Sequence, residues 1–349
     1  MNTNVWKVDK CVDKLESNPH IVDAAHFLRE NEVVALPTET VYGLGGNAEN
    51  DEAVTKIFAA KGRPADNPLI IHIADKVQLD RFVKEVPEKA KNLIDAFWPG
   101  PLTIIFNKKE GVLSEKATAG LSTVAVRMPD HPVALALFRE CGLPIAAPSA
   151  NSSGKPSPTT ADHVVDDLNG KIAGVLDAGP TGVGVESTVV DCTEEIPVIL
   201  RPGGVTKEQL EEVVGEVRVD PALTNTEGDA RPKAPGMKYR HYAPNAPLYL
   251  VSGTREFLQR LVDEKRQEGL RVGVLTTEEH STEFAADVVL ACGRRAELET
   301  VAAALYDTLR KFNQVDVDVI FSEMFPTSGV GLAIMNRLQK AAGNKIISE

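Results

Sequence analysis

The chain has 349 residues, of which 43% are hydrophobic and 25% charged, and its formal net charge is -12. The length exceeds what one core usually serves, so two domains are expected, and the acidic total argues against broad electrostatic attraction to nucleic acid or an anionic membrane. Cys11, Cys141, Cys192 and Cys292 lack C-x-x-C spacing, no apolar stretch reaches membrane-spanning length, and the first residues lack a signal peptide's apolar core, so a cytoplasmic enzyme without zinc or disulfides is expected.

Taken in order, the pattern first predicts an amphipathic helix over 19–31, with Ile21, Ala24, Ala25 and Leu28 at helical spacing. The apolar run Val33 to Leu36 then reads as a strand that stops at Pro37 and gives way to Thr38, Glu39, Thr40 and Tyr42, polar groups at the mouth of a sheet. Gly43, Gly45 and Gly46 read as backbone that lies close to a ligand or turns tightly. A helix is expected from roughly Asp51 to Ala60, with Asn50 as its N-cap. It leads to Lys61-Gly62-Arg63-Pro64, read as two cations on a short irregular segment and suited to clamping a phosphate. Lys56 is a further cation, though a lysine on a helix face is usually solvated. The apolar strand Leu69 to Ile73 follows, interrupted by His72.

Each of these features has an ordinary explanation. A K-x-R pair is usually surface charge, a histidine in an apolar strand is usually structural, and threonines often cap strand ends. Their joint occurrence in one short span favours a ligand site. Gly43 to Ala48 also fits a loose G-x-G-x-x-A dinucleotide fingerprint, but five polar or bulky residues intervene after Pro37, and no G-x-x-x-x-G-K-[ST] occurs in the chain.

Helices are expected over 76–82 and 87–97, then a rigid Trp98-Pro99-Gly100-Pro101 turn and strands at 102–106 and 123–129, the second ending in Arg127. The apolar run 143–148 breaks into Ser149-Ala-Asn151 and a Ser/Gly/Pro loop, which is either a plain polar loop or an inventory of donors for phosphate and ribose oxygens. A glycine-rich turn precedes Ser187 and its strand, and Val198 to Leu200 ends at Arg201. Repeated delivery of hydroxyls and cations beside Pro or Gly breaks predicts one cleft lined by Thr40, Lys61, Arg63, Arg127, Ser149, Ser187 and Arg201, suited to a nucleoside triphosphate.

Residues 220–247 read as a linker in which Tyr239, Arg240, His241 and Tyr242 are the best ligand contacts. From Leu248, strands at 248–251, 272–275, 288–290 and 317–322 alternate with helices at 254–267, 296–312 and 330–342, which predicts a small parallel sheet with Rossmann-like connections. The expected organisation is therefore a catalytic domain over 1–219, a linker over 220–247 that covers the site, and a C-terminal domain over 248–349.

Pro37 to Leu44, Lys61 to Pro64, Ser149 to Asn151, Ser187 to Asp191 and Pro235 to Pro244 together resemble the long, two-domain form of the threonylcarbamoyl-AMP synthase family, the YrdC-like family. The resemblance covers essentially the whole chain. It implies an α/β fold with an N-terminal twisted mixed sheet and helices, plus a smaller C-terminal Rossmann-like α/β domain. The implied reaction condenses L-threonine, bicarbonate and ATP, with Mg2+, to threonylcarbamoyl-AMP and pyrophosphate. A separate transferase complex then modifies tRNA, and direct tRNA binding by this chain is expected to be weak. Catalysis is implied for Lys61, Arg63, Ser149 and Asn151. ATP contacts are implied for Arg63, Asn67, Thr123, Ser149, Ser157, Arg201, Tyr239 and Tyr242, and threonine contacts for Thr40, His72, Arg127, Ala147 and Ser187. Mg2+ would be held mainly through the ATP phosphates, with no protein ligand assigned. The alternative from another class is an RNA-binding module that uses the same cationic cleft.

Overall fold

The computed structural model describes residues 2–12, 14–223 and 241–349, so Tyr239 and Arg240 lie outside the described residues. The chain divides into two compact units. Among described residues the first holds 2–153, 158–182 and 186–223, and the second holds 154–157, 183–185 and 241–349.

In the first unit the elements run β1 (Asn4–Lys7), α1 (Pro19–Arg29), β2 (Val34–Leu36), β3 (Gly43–Asn47), α2 (Asp51–Lys61), β4 (Ile70–His72), α3 (Leu79–Phe82), α4 (Glu88–Phe97), β5 (Leu102–Asn107), β6 (Thr123–Arg127) and α5 (Pro132–Cys141). They continue with β7 (Ile145–Ala146), α6 (Ala161–Leu168), β8 (Gly174–Asp177), β9 (Thr188–Asp191), β10 (Val198–Arg201), α7 (Lys207–Val214) and β11 (Arg218–Val219). The strands form one mixed sheet in the order β1-β8-β2-β3-β7-β4-β6-β5-β9-β10-β11. Alternation along β2 shows how it is covered. Val34 and Leu36 join a core built with Ile21 and Leu28 of α1 and Leu137 and Phe138 of α5, whereas Ala35 joins the core of Ile57, Leu93, Val164 and Leu210 from α2, α4, α6 and α7.

The glycine-rich segment differs from its expected role. Gly43 to Asn47 is β3, a strand inside the sheet, antiparallel to both β2 and β7. Its glycines answer to packing. A Cβ on Gly45 would stand 2.8 Å from Leu36 Cδ2 and 3.0 Å from Ile145 Cγ2, and one on Gly46 would stand 3.0 Å from Ile57 Cδ1. A strand at this position also removes the dinucleotide fingerprint, which requires a turn opening a helix.

The second unit contains β12 (Leu248–Ser252), α8 (Arg255–Gln267), β13 (Val272–Thr276), β14 (Val288–Ala291), α9 (Leu298–Lys311), β15 (Val319–Glu323), α10 (Gly331–Ala342) and β16 (Ile346–Ser348). All four strand pairings are parallel, in the order β14-β13-β15-β12-β16. The expected βα alternation is present. Within this unit Gly154 O accepts from Ala243 N at 3.0 Å, and Pro156 O accepts from Arg310 Nη2 at 2.6 Å.

Candidate active site

Lys61 is the last residue of α2, not part of an irregular segment. The helix starts as its sequence predicts, with the Asn50 side chain accepting from Ala53 N at 2.9 Å. It ends at Gly62, whose φ of 61° lets Gly62 N reach Ala59 O and Arg63 N reach Phe58 O, the paired closing bonds of a glycine C-cap. This turn separates the two cations. Lys61 is buried and donates from Nζ to the main-chain oxygens of Ser149 and Asn151, the latter at 2.8 Å, while Arg63 is only half-buried. Burial, then the neighbouring Arg63 charge, hold the Lys61 pKa well below its ordinary 10.5, and the charges of Asp167 and Glu186 oppose that shift. Asp167 also fixes the loop itself, since its Oδ2 accepts from Ser152 N at 3.1 Å. Lys56 points elsewhere, pairing with Glu32 at 2.7 Å and Glu52 at 3.1 Å.

A second group forms where β6 ends. Arg127 donates from Nε to Gly100 O at 3.1 Å and from Nη1 to Thr40 Oγ1 at 3.0 Å, and its Nη2 lies 2.5 Å from Glu39 Oε1. Thr38 Oγ1 gives its proton to Val41 O at 2.6 Å, so at 2.9 Å from Thr40 Oγ1 it must accept from that hydroxyl. The result is a directed relay from guanidinium to Thr40 to Thr38. Strand register places His72 of β4 beside Arg127 on one side and Ile145 of β7 on the other. Burial, reinforced by the Arg127 charge, lowers the His72 pKa to about 3, so the ring is neutral. Its Nδ1 sits 3.1 Å from Ile70 O, a pair that the Nδ1–H tautomer satisfies.

The third group joins β9, β10 and β5. Arg201 donates from Nε to Ser187 O and from Nη2 to Ser187 Oγ, both at 3.0 Å, and Ser187 Oγ is 2.7 Å from Thr103 Oγ1. Close approach is built in. A Cβ on Gly203 would stand 2.2 Å from Glu186 O and 2.4 Å from Thr188 N.

These groups share one neighbourhood, because the Arg201 charge is felt at His72 and the Glu186 charge at Lys61. Ala147 closes the centre, its N–H donating to Ile70 O at 3.0 Å, and Ser149 bridges to Gly43. Asn67 is fully buried, yet neither amide atom meets a hydrogen-bond partner among the described residues. A native interior rarely leaves such a group alone unless a ligand or water answers it. Thr123 opens β6 opposite Asn107. Ser157 and Tyr242 are buried members of the second unit, where the Tyr242 and Tyr306 ring centroids lie 5.2 Å apart. The sequence marks Glu39 as a polar group at the sheet's mouth but gives it no partner, and it gives Thr103 and Asp167 no role. The structure pairs Glu39 with Arg127, and tertiary packing alone supplies the other two.

The Sua5/YciO/YrdC family model, described as "Telomere recombination", matches residues 26–203. The chain belongs to the Sua5/YciO/YrdC family. A second model, described as the C-terminal domain of threonylcarbamoyl-AMP synthase, matches residues 205–343, so the chain has the long form of this family. The threonylcarbamoyl-AMP synthase of Bacillus subtilis is 61% identical over 99% of this chain and 100% of its own length, and that of Pyrococcus abyssi is 52% identical over 93% and 94%. Among solved family structures, Pyrococcus abyssi Sua5 complexed with L-threonine superposes with a TM-score of 0.93 at 49% identity, covering 99% of this chain and 100% of that one.

Proposed function

We propose that this chain is an L-threonylcarbamoyladenylate synthase, a nucleotidyltransferase that condenses L-threonine, bicarbonate and ATP to threonylcarbamoyl-AMP and pyrophosphate. One observation carries the reading. A buried lysine laid on the Ser149–Asn151 main chain shares a neighbourhood with two guanidinium–hydroxyl pairs, Arg127 with Thr40 and Arg201 with Ser187. Relatives named threonylcarbamoyl-AMP synthase support it.

Threonine is assigned to Thr40, His72, Arg127, Ala147 and Ser187. Its carboxylate suits Arg127, and the neutral His72 ring leaves the amine free of a competing cation. ATP is assigned to Arg63, Asn67, Thr123, Ser149, Ser157 and Arg201, with the orphaned Asn67 amide as a ready base or ribose contact. Tyr242 completes this set, and Tyr239 belongs to the same proposal from its sequence alone. The threonine amine and bicarbonate form a carbamate with loss of water, and a carbamate oxygen attacks the α-phosphorus as pyrophosphate leaves. Lys61 and Arg63 hold the negative charge that builds in this step, while Ser149 and Asn151 fix the position of the phosphates. The work is positioning and charge stabilisation.

Mg2+ is expected to enter with the triphosphate and neutralise phosphate charge. Among the described residues no cluster of three or more His, Cys, Asp or Glu side chains could hold a metal, and Glu39 is committed to Arg127. No helix of the described residues is long and apolar enough to cross a membrane, and a cytoplasmic site of action is proposed. The product would pass to a separate transferase that modifies tRNA. No observation favours the RNA-binding alternative, and the net charge of -12 works against it. The test is pyrophosphate release from ATP. It should require threonine and bicarbonate together, and release independent of threonine would refute the assignment.

A further inference from the structure

The second unit has a crevice of its own where the rules of parallel sheets place ligands. The chain leaves β13 toward β14 at one edge and leaves β15 toward β16 at the other, so the carboxyl ends of β13 and β15 form a point where connections diverge. Polar groups gather there. Thr276, the last residue of β13, donates from Oγ1 to Glu323, the last residue of β15, and His280 Nδ1 lies 2.9 Å from Glu323 Oε1. Glu323 is 8% exposed, so a carboxylate is held below the surface at the divergence point. A cavity of about 170 Å³ opens beside it, lined by Ser252, Thr254, Leu258, Arg295, Glu323 and Met324 among others.

The opposite charge comes from Arg295. Its Nη2 donates to Met324 O at 2.8 Å and its guanidinium lies 5.4 Å from the Phe325 ring centre. Its Nη1 is buried and meets no acceptor among the described residues. A buried guanidinium N–H left unanswered costs stability, and such groups are found where a ligand or ordered water supplies the acceptor. The segment that carries it is fixed from below. The Glu279 carboxylate accepts from Arg295 N at 3.0 Å and Ala296 N at 3.2 Å.

A cavity lined by both a cation and a carboxylate selects neither simple anions nor simple cations. It complements a small molecule that carries both charges, and it is too small for a nucleotide, whose sites run to several hundred Å³. We propose that this crevice binds a free α-amino acid, with the ligand carboxylate on the Arg295 guanidinium and its ammonium group on Glu323. This site lies wholly within the second unit and does not depend on the activity proposed above.

Amide hydrogen exchange of the full-length protein tests it, with each proteinogenic L-amino acid in turn as the probe and with acetate and ammonium chloride as controls. At least one amino acid should slow exchange in 251–258 and 294–296 in a saturable manner. Arg295→Gln should weaken that affinity by about tenfold or more, as expected for a charge-assisted hydrogen bond, and Arg295→Lys by less. Native exchange rates in β13 and β15 of both variants would show that they are folded. Because the readout is local, threonine held by the first unit does not register in it. Unchanged exchange with every amino acid would leave the crevice to water and overturn the proposal. Protection by acetate alone, or protection that survives Arg295→Gln, would overturn it as well.

Discussion

Lys61 Nζ donates to the main-chain oxygen of Asn151 across 2.8 Å, tying the last residue of α2 to the loop that follows β7. The same ammonium group reaches Ser149 O, so one side chain spans the pair of residues assigned to the phosphates. Lys61→Ala is expected to lower threonine-dependent pyrophosphate release by about 10²–10³-fold, the usual effect of removing a preorganised charge. Stability should change by less than about 2 kcal/mol, because the lost hydrogen bonds are offset by relief of a buried charge. Activity within tenfold of the parent protein would refute the role.

The depressed Lys61 pKa has a measurable counterpart in binding. Burial disfavours its charged form, and an arriving triphosphate favours that form, so ATP binding should raise the Lys61 pKa and draw in protons at pH values between its free and ATP-bound pKa. Calorimetry in buffers with different ionisation heats should give an ATP binding enthalpy that varies with the buffer. The variation should shrink in Lys61→Met.

Buried histidines predict how stability responds to acid. Burial lowers the His72 pKa to about 3 and the His131 pKa to about 4, from an ordinary 6.5. The unfolded chain therefore binds protons below 6.5 that the folded chain refuses. Their contribution is fully present above 6.5 and is lost as pH falls from 6.5 toward about 3, by an amount on the order of a few kcal/mol. His72→Gln should flatten the dependence of the urea midpoint on pH across that window. An unchanged slope would count against a neutral buried ring.

Glu39 is the partner without which Arg127 is a buried charge facing only hydroxyl and carbonyl oxygens. Their side chains are 14% and 4% exposed, which places this pair well below the surface. Glu39→Ala should destabilise the protein by about 3 kcal/mol and raise KM for threonine more than it lowers kcat, with Glu39→Gln milder on both counts. Urea unfolding and initial rates across threonine concentrations check the two parts separately.

Much of this architecture could be read from the residues, and the exceptions have physical causes. The Asn50 cap and the apolar spacing of α1 mark their helices because those features are local. The helix α5 was missed because Val133, Ala134, Ala136, Leu137 and Phe138 are all buried, leaving too little polar face to mark a period. The strands β1 and β8 are four residues each, too short to show alternation clearly. Gly43 to Asn47 reads as a loop by composition but pairs as a strand with β2 and β7, its glycines at 45 and 46 answering to close side-chain packing. At the site, hydroxyls and cations are legible where they cluster in sequence, as from Thr38 to His72. Thr103 and Asp167 became visible only when the sheet and helices set them against Ser187 and Ser152.

The bare backbone at Gly46 lies beneath the helix that carries Lys61. A Cβ at this position would stand 3.0 Å from Ile57 Cδ1 of α2, one helical turn before the lysine, so the glycine leaves room for the helix to pack closely against the sheet. A single methyl group there would require the tip of Ile57 to give way by a few tenths of an ångström, at the packing surface beneath that helix. The packing beneath the site thus depends in part on a residue with no side chain, fifteen positions before the lysine.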